Sequence, residues 1–161
     1  VGNGLLERDQ RGVYRLVPFP ESDRAELWRA ILWPSVQRVE TAAVISDGTA
    51  LSLYDVSTIN PSMIDVTVPR SLRLRRNPPP GVRIHRRDYE SRDMTNASGL
   101  PVTTLYRTLV DLIVNCNELQ FVGEAFQNAR TQALLTSKEL HDLNALREMD
   151  EHLLSIIKVP T

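Results

Sequence analysis

The chain has 161 residues, 42% of them hydrophobic, and a formal net charge of -1. That is enough for one compact domain with a real core, or a domain with a small appendage, and it excludes a disordered tail. No apolar run approaches the roughly 18 residues of a membrane span and no basic-then-apolar leader opens the chain, so a cytoplasmic protein is expected. The single cysteine, Cys116, cannot form an internal disulfide and, in an apolar helical run, reads as a small packing residue.

In chain order, Leu5-Leu6 and Val13 to Val17 are apolar runs flanking the polar stretch Glu7 to Gly12, a β-hairpin signature, and Pro18 and Pro20 end it. Ser22 is placed to cap a helix running to about Trp33, with Leu27, Trp28, Ile31 and Leu32 as its apolar stripe and Pro34 as its stop. Ala42 to Ile45 is too short to assign to strand or helix. Ser46 or Asp47 can then cap a helix that carries Ala50, Leu51 and Tyr54 on one side.

Met63 to Val68 alternates, is rich in β-branched residues and ends at Pro69, so it reads as a strand. After Pro78-Pro79-Pro80-Gly81, the period of two in Val82 to Arg86 puts Val82, Ile84 and Arg86 on one face and Arg83, His85 and Arg87 on the other. Short extended pieces at Asp93 to Thr95 and Leu100 to Val102 flank the turn-rich Asn96 to Gly99. From Thr103 or Thr104 onward the pattern is helical, with capping-box spacings at Asn117/Gln120 and Thr136/Glu139 and a last amphipathic segment through Leu153, Leu154, Ile156 and Ile157. The expected class is α+β, a small mixed sheet packed with helices and a bundle-like C-terminal part at about 104–161. The expected division is a hairpin at 1–20 and an α/β domain at 21–161.

Charge is sorted along this order. The basic residues comprise 17 arginines and two lysines, a bias that suits phosphate or carboxylate, whose oxygens the planar guanidinium binds in pairs; coding bias in a GC-rich genome yields the same composition. Residues 70–94 hold eight arginines against three acids, whereas 104–161 hold five basic residues against eight acids. One face is therefore suited to a polyanion while another stays acidic. Arg70, Arg73, Arg75, Arg76, Arg83, His85, Arg86 and Arg87 form the candidate basic surface. Arg8 and Arg11 in the hairpin, with Tyr14, are a second one.

Motifs for catalysis are missing: no phosphate-binding glycine loop, no nucleophile elbow, no H-E-x-x-H and no C-x-x-C. Neither a metal site nor a cofactor is expected. Asp65 is the one acid inside a strand and has no second acid and lysine on a neighbouring strand, as a metal-dependent nuclease needs. Arg107 and Asp111, four residues apart on one helix, are expected to pair and orient that helix against the sheet.

RGVYRL at 11–16, AVISDGTALSLYDV at 43–56, IDVTVPR at 64–70, GVRIHRRDYESRD at 81–93 and GLPVTTLYRTLVDL at 99–112 together resemble the AbiEi family, the antitoxin and autorepressor members of type IV toxin-antitoxin systems. The resemblance spans about residues 4–140; RGVYRL and PVTT-x-x-RTLVDL are its most specific pieces, and SDGTALSLYDV is a looser match. It implies a winged helix-turn-helix that binds operator DNA, an α/β antitoxin domain, and a nucleotidyltransferase-like toxin as partner. In that frame the hairpin is similar to the wing, with Arg8 and Arg11 as its phosphate contacts. The helices that should precede the wing are missing, because residue 1 already falls at the helix-to-wing junction, and a truncated chain is expected. The alternatives are an interaction module that binds no DNA and, third, a nuclease-related enzyme.

Overall fold

The computed structural model describes residues 6–10, 13–16, 24–35, 43–115 and 117–157. Two strands, β1 (Leu6–Gln10) and β2 (Val13–Leu16), pair antiparallel as a hairpin with an irregular register between Arg8 and Gln10. The polar residues Glu7 to Gln10, expected in the turn, thus belong to β1. Helix α1 (Ala25–Leu32) runs into a 3-10 turn at Trp33–Ser35 that contains Pro34. Its N-cap is Arg24 and bears no side-chain cap; Ser22, the expected cap, lies outside the described residues, as does Cys116.

The main sheet contains β3 (Val44–Ile45), β4 (Ile64–Val68), β5 (Val82–Arg86), β6 (Met94–Ala97) and β7 (Leu100–Thr103) in the spatial order β5-β4-β3-β7-β6. β4 pairs with β5 and β3 with β7 in parallel, while β3/β4 and β6/β7 are antiparallel, so the sheet is mixed. Helices α2 (Asp47–Ser52), α3 (Leu105–Val114), α4 (Leu119–Thr131) and α5 (Ser137–Ile157) complete an α+β fold. α5 is one helix where the sequence suggested two segments.

Local chemistry accounts for the junctions. The β6–β7 hairpin turns through Ser98 and Gly99, both with positive φ, which is the backbone of a two-residue type I′ turn. The turn is two residues long, not the expected four, because Asn96 and Ala97 already pair with β7. Ahead of β5, the Val82 N–H donates to the Pro79 carbonyl at 3.1 Å, and Gly81 sits at φ +80 behind Pro80. Proline followed by a positive-φ glycine is the type II pattern, so the proline run is a rigid bend into the strand.

Thr104 caps α3 by accepting the Arg107 N–H. The capping box at Thr136 and Glu139 forms in both directions, with contacts of 2.8 and 3.3 Å. Removing it with Thr136→Ala is expected to lower stability by about 1 kcal/mol, read as a shift in the urea midpoint. The Asn117/Gln120 box does not open α4: Glu118 is the N-cap in left-handed backbone at φ 54, with no side-chain cap.

Two apolar clusters form the core. One joins the sheet to α1 through Ala30, Ile31, Ile45, Val66, Val68, Val82, Leu100 and Val102. The other is helical, with Leu51, Leu109, Leu112, Phe126 and Leu143 from α2, α3, α4 and α5 packed together with Val56 just after α2. In α1 the expected stripe is only half used, since Ile31 is buried while Trp28 and Leu32 stay exposed.

Candidate functional site

Period-two alternation carries Val66, Val68, Val82 and Ile84 into the sheet core and turns Asp65, Thr67, Arg83 and His85 to the other side. There the side chains form a connected polar network linking elements of both cores. Asp65, Asp47 and Asp111 are its acids, each no more than 4% exposed.

Arg87, one residue beyond β5, grips Asp47 with both terminal nitrogens, Nη1 to Oδ2 at 2.6 Å and Nη2 to Oδ1 at 3.0 Å. Asp47 opens α2 in left-handed backbone at φ 49, a conformation that aspartate tolerates better than most residues. The Tyr89 hydroxyl donates to Asp111 Oδ2 at 2.6 Å and accepts from Arg87 at 3.2 Å. From α3 itself, Arg107 meets the same carboxylate through Nε at 3.2 Å and Nη2 at 2.5 Å. Its guanidinium also lies 5.1 Å from the Tyr89 ring centroid. The Arg107–Asp111 pair is thus one end of a chain that runs through Tyr89 and Arg87 to Asp47.

His85 sits at the other end. Its Nε2 is 2.9 Å from Asp65 Oδ1 and 3.7 Å from Asp47 Oδ2, and its Nδ1 is 3.5 Å from Arg87. A carboxylate only accepts, so Nε2 carries a proton toward the two acids, while Nδ1 faces the Arg87 guanidinium. Arg83 reaches Asp65 at 3.5 Å with its side chain half exposed. A second carboxylate therefore does stand beside Asp65. It comes from the β3–α2 junction and not from a neighbouring strand, and Arg87 occupies it. Among the described residues no group of three His, Cys, Asp or Glu side chains can hold a metal ion.

The charges follow the contacts. Burial alone raises the Asp47 carboxyl, but the hydrogen bonds from Arg87 and the nearby charges of His85 and Arg87 outweigh it and hold the group below its ordinary 3.8. Burial also works against Arg87, yet Asp47 and Tyr89 raise it above its ordinary value. Tyr89 is pushed up to about 12 by burial and by its bond to Asp111, and burial takes Tyr54, which donates to the Thr103 carbonyl at 2.6 Å, to about 12 as well. Because these folded values lie above the ordinary 10, the two phenols stabilise the fold fully below pH 10 and lose that contribution as pH rises toward 12. A phenolate absorbance titration should show a late step near pH 12 that Tyr54→Phe and Tyr89→Phe each reduce.

A small pocket of about 50 Å³ opens beside Asp47, Asp65, His85 and Arg83, with Ser62 and Glu118 on its rim. It has room for a few waters but not for a ligand of several hundred Å³. With all three buried carboxylates, Asp47, Asp65 and Asp111, bonded to arginine or histidine, the network holds charge and orients β5, α2 and α3.

The basic surface proposed from the sequence separates into two sets. Arg87 and His85 face the buried acids, so Arg87 is a structural cation and not a surface one. Arg83 stands between the sets. Arg70, Arg73, Arg75 and Arg86 are exposed. Residues 72–75 alternate without forming a paired strand: Leu72 and Leu74 pack on the sheet core, while Arg73 and Arg75 point to solvent. Arg86 Nη1 donates to the Leu72 carbonyl, and the Arg70 N–H donates to Asp88 at 3.0 Å, so the first half of this strut is tied to β5 and the residues after it, while Leu74 packs on the core. Arg76 is half buried over the Trp33 ring, 5.8 Å from its centroid. On the hairpin, Arg8 is exposed opposite an exposed Tyr14; Arg11 lies outside the described residues.

Asp47 and Tyr89 were missed as members of a site. The signal available for them was the parity of Arg83, His85 and Arg87, a basic face that needs acids if it turns inward.

Comparison with known proteins gives no matching family and no matching curated protein. No helix among the described residues is long and apolar enough to cross a membrane.

Proposed function

We propose that this chain is a non-enzymatic binding protein of the AbiEi antitoxin and autorepressor kind, acting in the cytoplasm. The observation that carries the reading is the outer arginine row, Arg70, Arg73 and Arg75 on an ordered strut and Arg86 at the end of β5 beside it, left exposed while the inner basic residues are matched by acids. Three exposed guanidinium groups on a pinned segment, with that of Arg86 beside them, make a surface for a polyanion, either DNA phosphate or the acidic face of a protein. The hairpin, with Arg8, is the second contact in this reading, and operator DNA and a nucleotidyltransferase-like toxin are the partners.

Reading the neighbouring gene and, where it encodes a nucleotidyltransferase-like enzyme, co-expressing the two tests the antitoxin half. Growth is restored if the chain neutralises that enzyme, and continued arrest refutes this half. Fluorescence anisotropy with a duplex at low salt tests the DNA half. Absence of binding there, with growth restored, leaves the chain as a protein-interaction module.

A further inference from the structure

We infer that the outer row binds the phosphodiester backbone of nucleic acid and reads no base sequence. The inference rests on the reading above that this row meets a polyanion, and it adds the ligand chemistry and the mode.

The geometry of the strut decides the mode. Base edges are reached by an element that enters a groove, a helix or a two-stranded ribbon. The strut does neither, because Leu72 and Leu74 pack inward between its arginines and Arg86 fastens its backbone to β5. Its arginines therefore lie along a surface, with Arg73 and Arg75 about 6.6 Å apart if fully extended. Neither pairs with an acid among the described residues. The acid next to the row, Asp88, is turned to the Arg70 backbone. Such a row can meet successive phosphates, which position a protein without specifying sequence.

Each neutralised phosphate releases counterions, so four contacts give a slope of log K against log salt of about -3.6 on duplex DNA, or about -2.8 on a single strand. Between 50 and 200 mM salt the duplex affinity should fall roughly 150-fold. The experiment is anisotropy of the full chain with a duplex, a scrambled duplex of the same composition, a single strand of equal length, and labelled polyglutamate. Affinities for the two duplexes within twofold, and the stated slopes, are expected. Arg70→Lys/Arg73→Lys/Arg75→Lys should keep the binding, since lysine neutralises phosphate but cannot make the paired bond to guanine.

A preference above tenfold for one duplex, lost in the lysine variant, overturns the inference in favour of base reading. Polyglutamate bound as tightly as DNA overturns it in favour of an acidic protein partner, with the polyanion surface still standing. Binding to none of the four overturns the surface itself.

Discussion

Arg87→Gln is expected to lower the free energy of unfolding by about 3–5 kcal/mol, the range for removing one partner of a buried ion pair. The residue looks like one of several surface arginines in the sequence, yet it supplies both hydrogen bonds that hold the Asp47 carboxylate, which is 3% exposed. Glutamine cannot replace that fork. The substitution also removes a donor to Tyr89 and a positive charge 3.6 Å from Asp111, so the damage reaches α3.

The pH dependence of this variant has a definite sign. In the native protein Asp47 is held below its ordinary 3.8, so its stabilising contribution is complete above that value and is lost as pH falls below it. Without Arg87 the largest remaining influence is burial, which raises the carboxyl, so protonation of Asp47 relieves the unpaired charge and the variant's deficit against the native chain should be largest near pH 7 and shrink as pH falls toward 3. Urea midpoints measured across pH 3 to 7 check both points. The double variant Asp47→Asn/Arg87→Gln should be less destabilised than the sum of its single variants, because no buried charge is left unpaired.

The second large effect is on binding. Arg70→Gln/Arg73→Gln/Arg75→Gln is expected to weaken duplex binding roughly 500-fold at 0.1 M salt, if each lost contact removes about 0.9 from the salt slope and the contacts contribute little at 1 M. The slope itself should fall from about -3.6 to about -0.9. Stability should hardly move, because all three side chains are exposed, Arg70 is tied through its backbone N–H and not its side chain, and Arg86 is kept as the tether. Thermal melting and anisotropy on the same preparation separate the two readouts.

Much of this was legible because it is local. The strand parity of Val82 to Arg87, the strand ending at Val68, the Thr104 cap and the Thr136–Glu139 box all depend on residues a few positions apart, and the sequence displays them directly. What stayed hidden is the direction in which the basic face of β5 points. Asp65 was visible as an acid within a strand, but Asp47 lies 40 residues from Arg87 and reads as an ordinary helix cap. Tyr89 sits beyond the end of the strand pattern, where period-two reasoning stops. Only the parallel pairing of β4 with β5, set by the crossover through the strut, brings Asp65 beside Arg83. At α4 the local rule itself failed, since Glu118 adopts left-handed backbone and displaces the expected cap.

The central claim is that one basic stretch does two separate jobs, an inner row that completes the fold and an outer row that meets the ligand. Measuring melting temperature and low-salt duplex affinity side by side for Arg87→Gln and for Arg73→Gln/Arg75→Gln tests it most directly. A crossed pattern is expected, with stability lost in the first and affinity lost at native stability in the second. Arg87→Gln melting like the native protein but failing to bind DNA would contradict it.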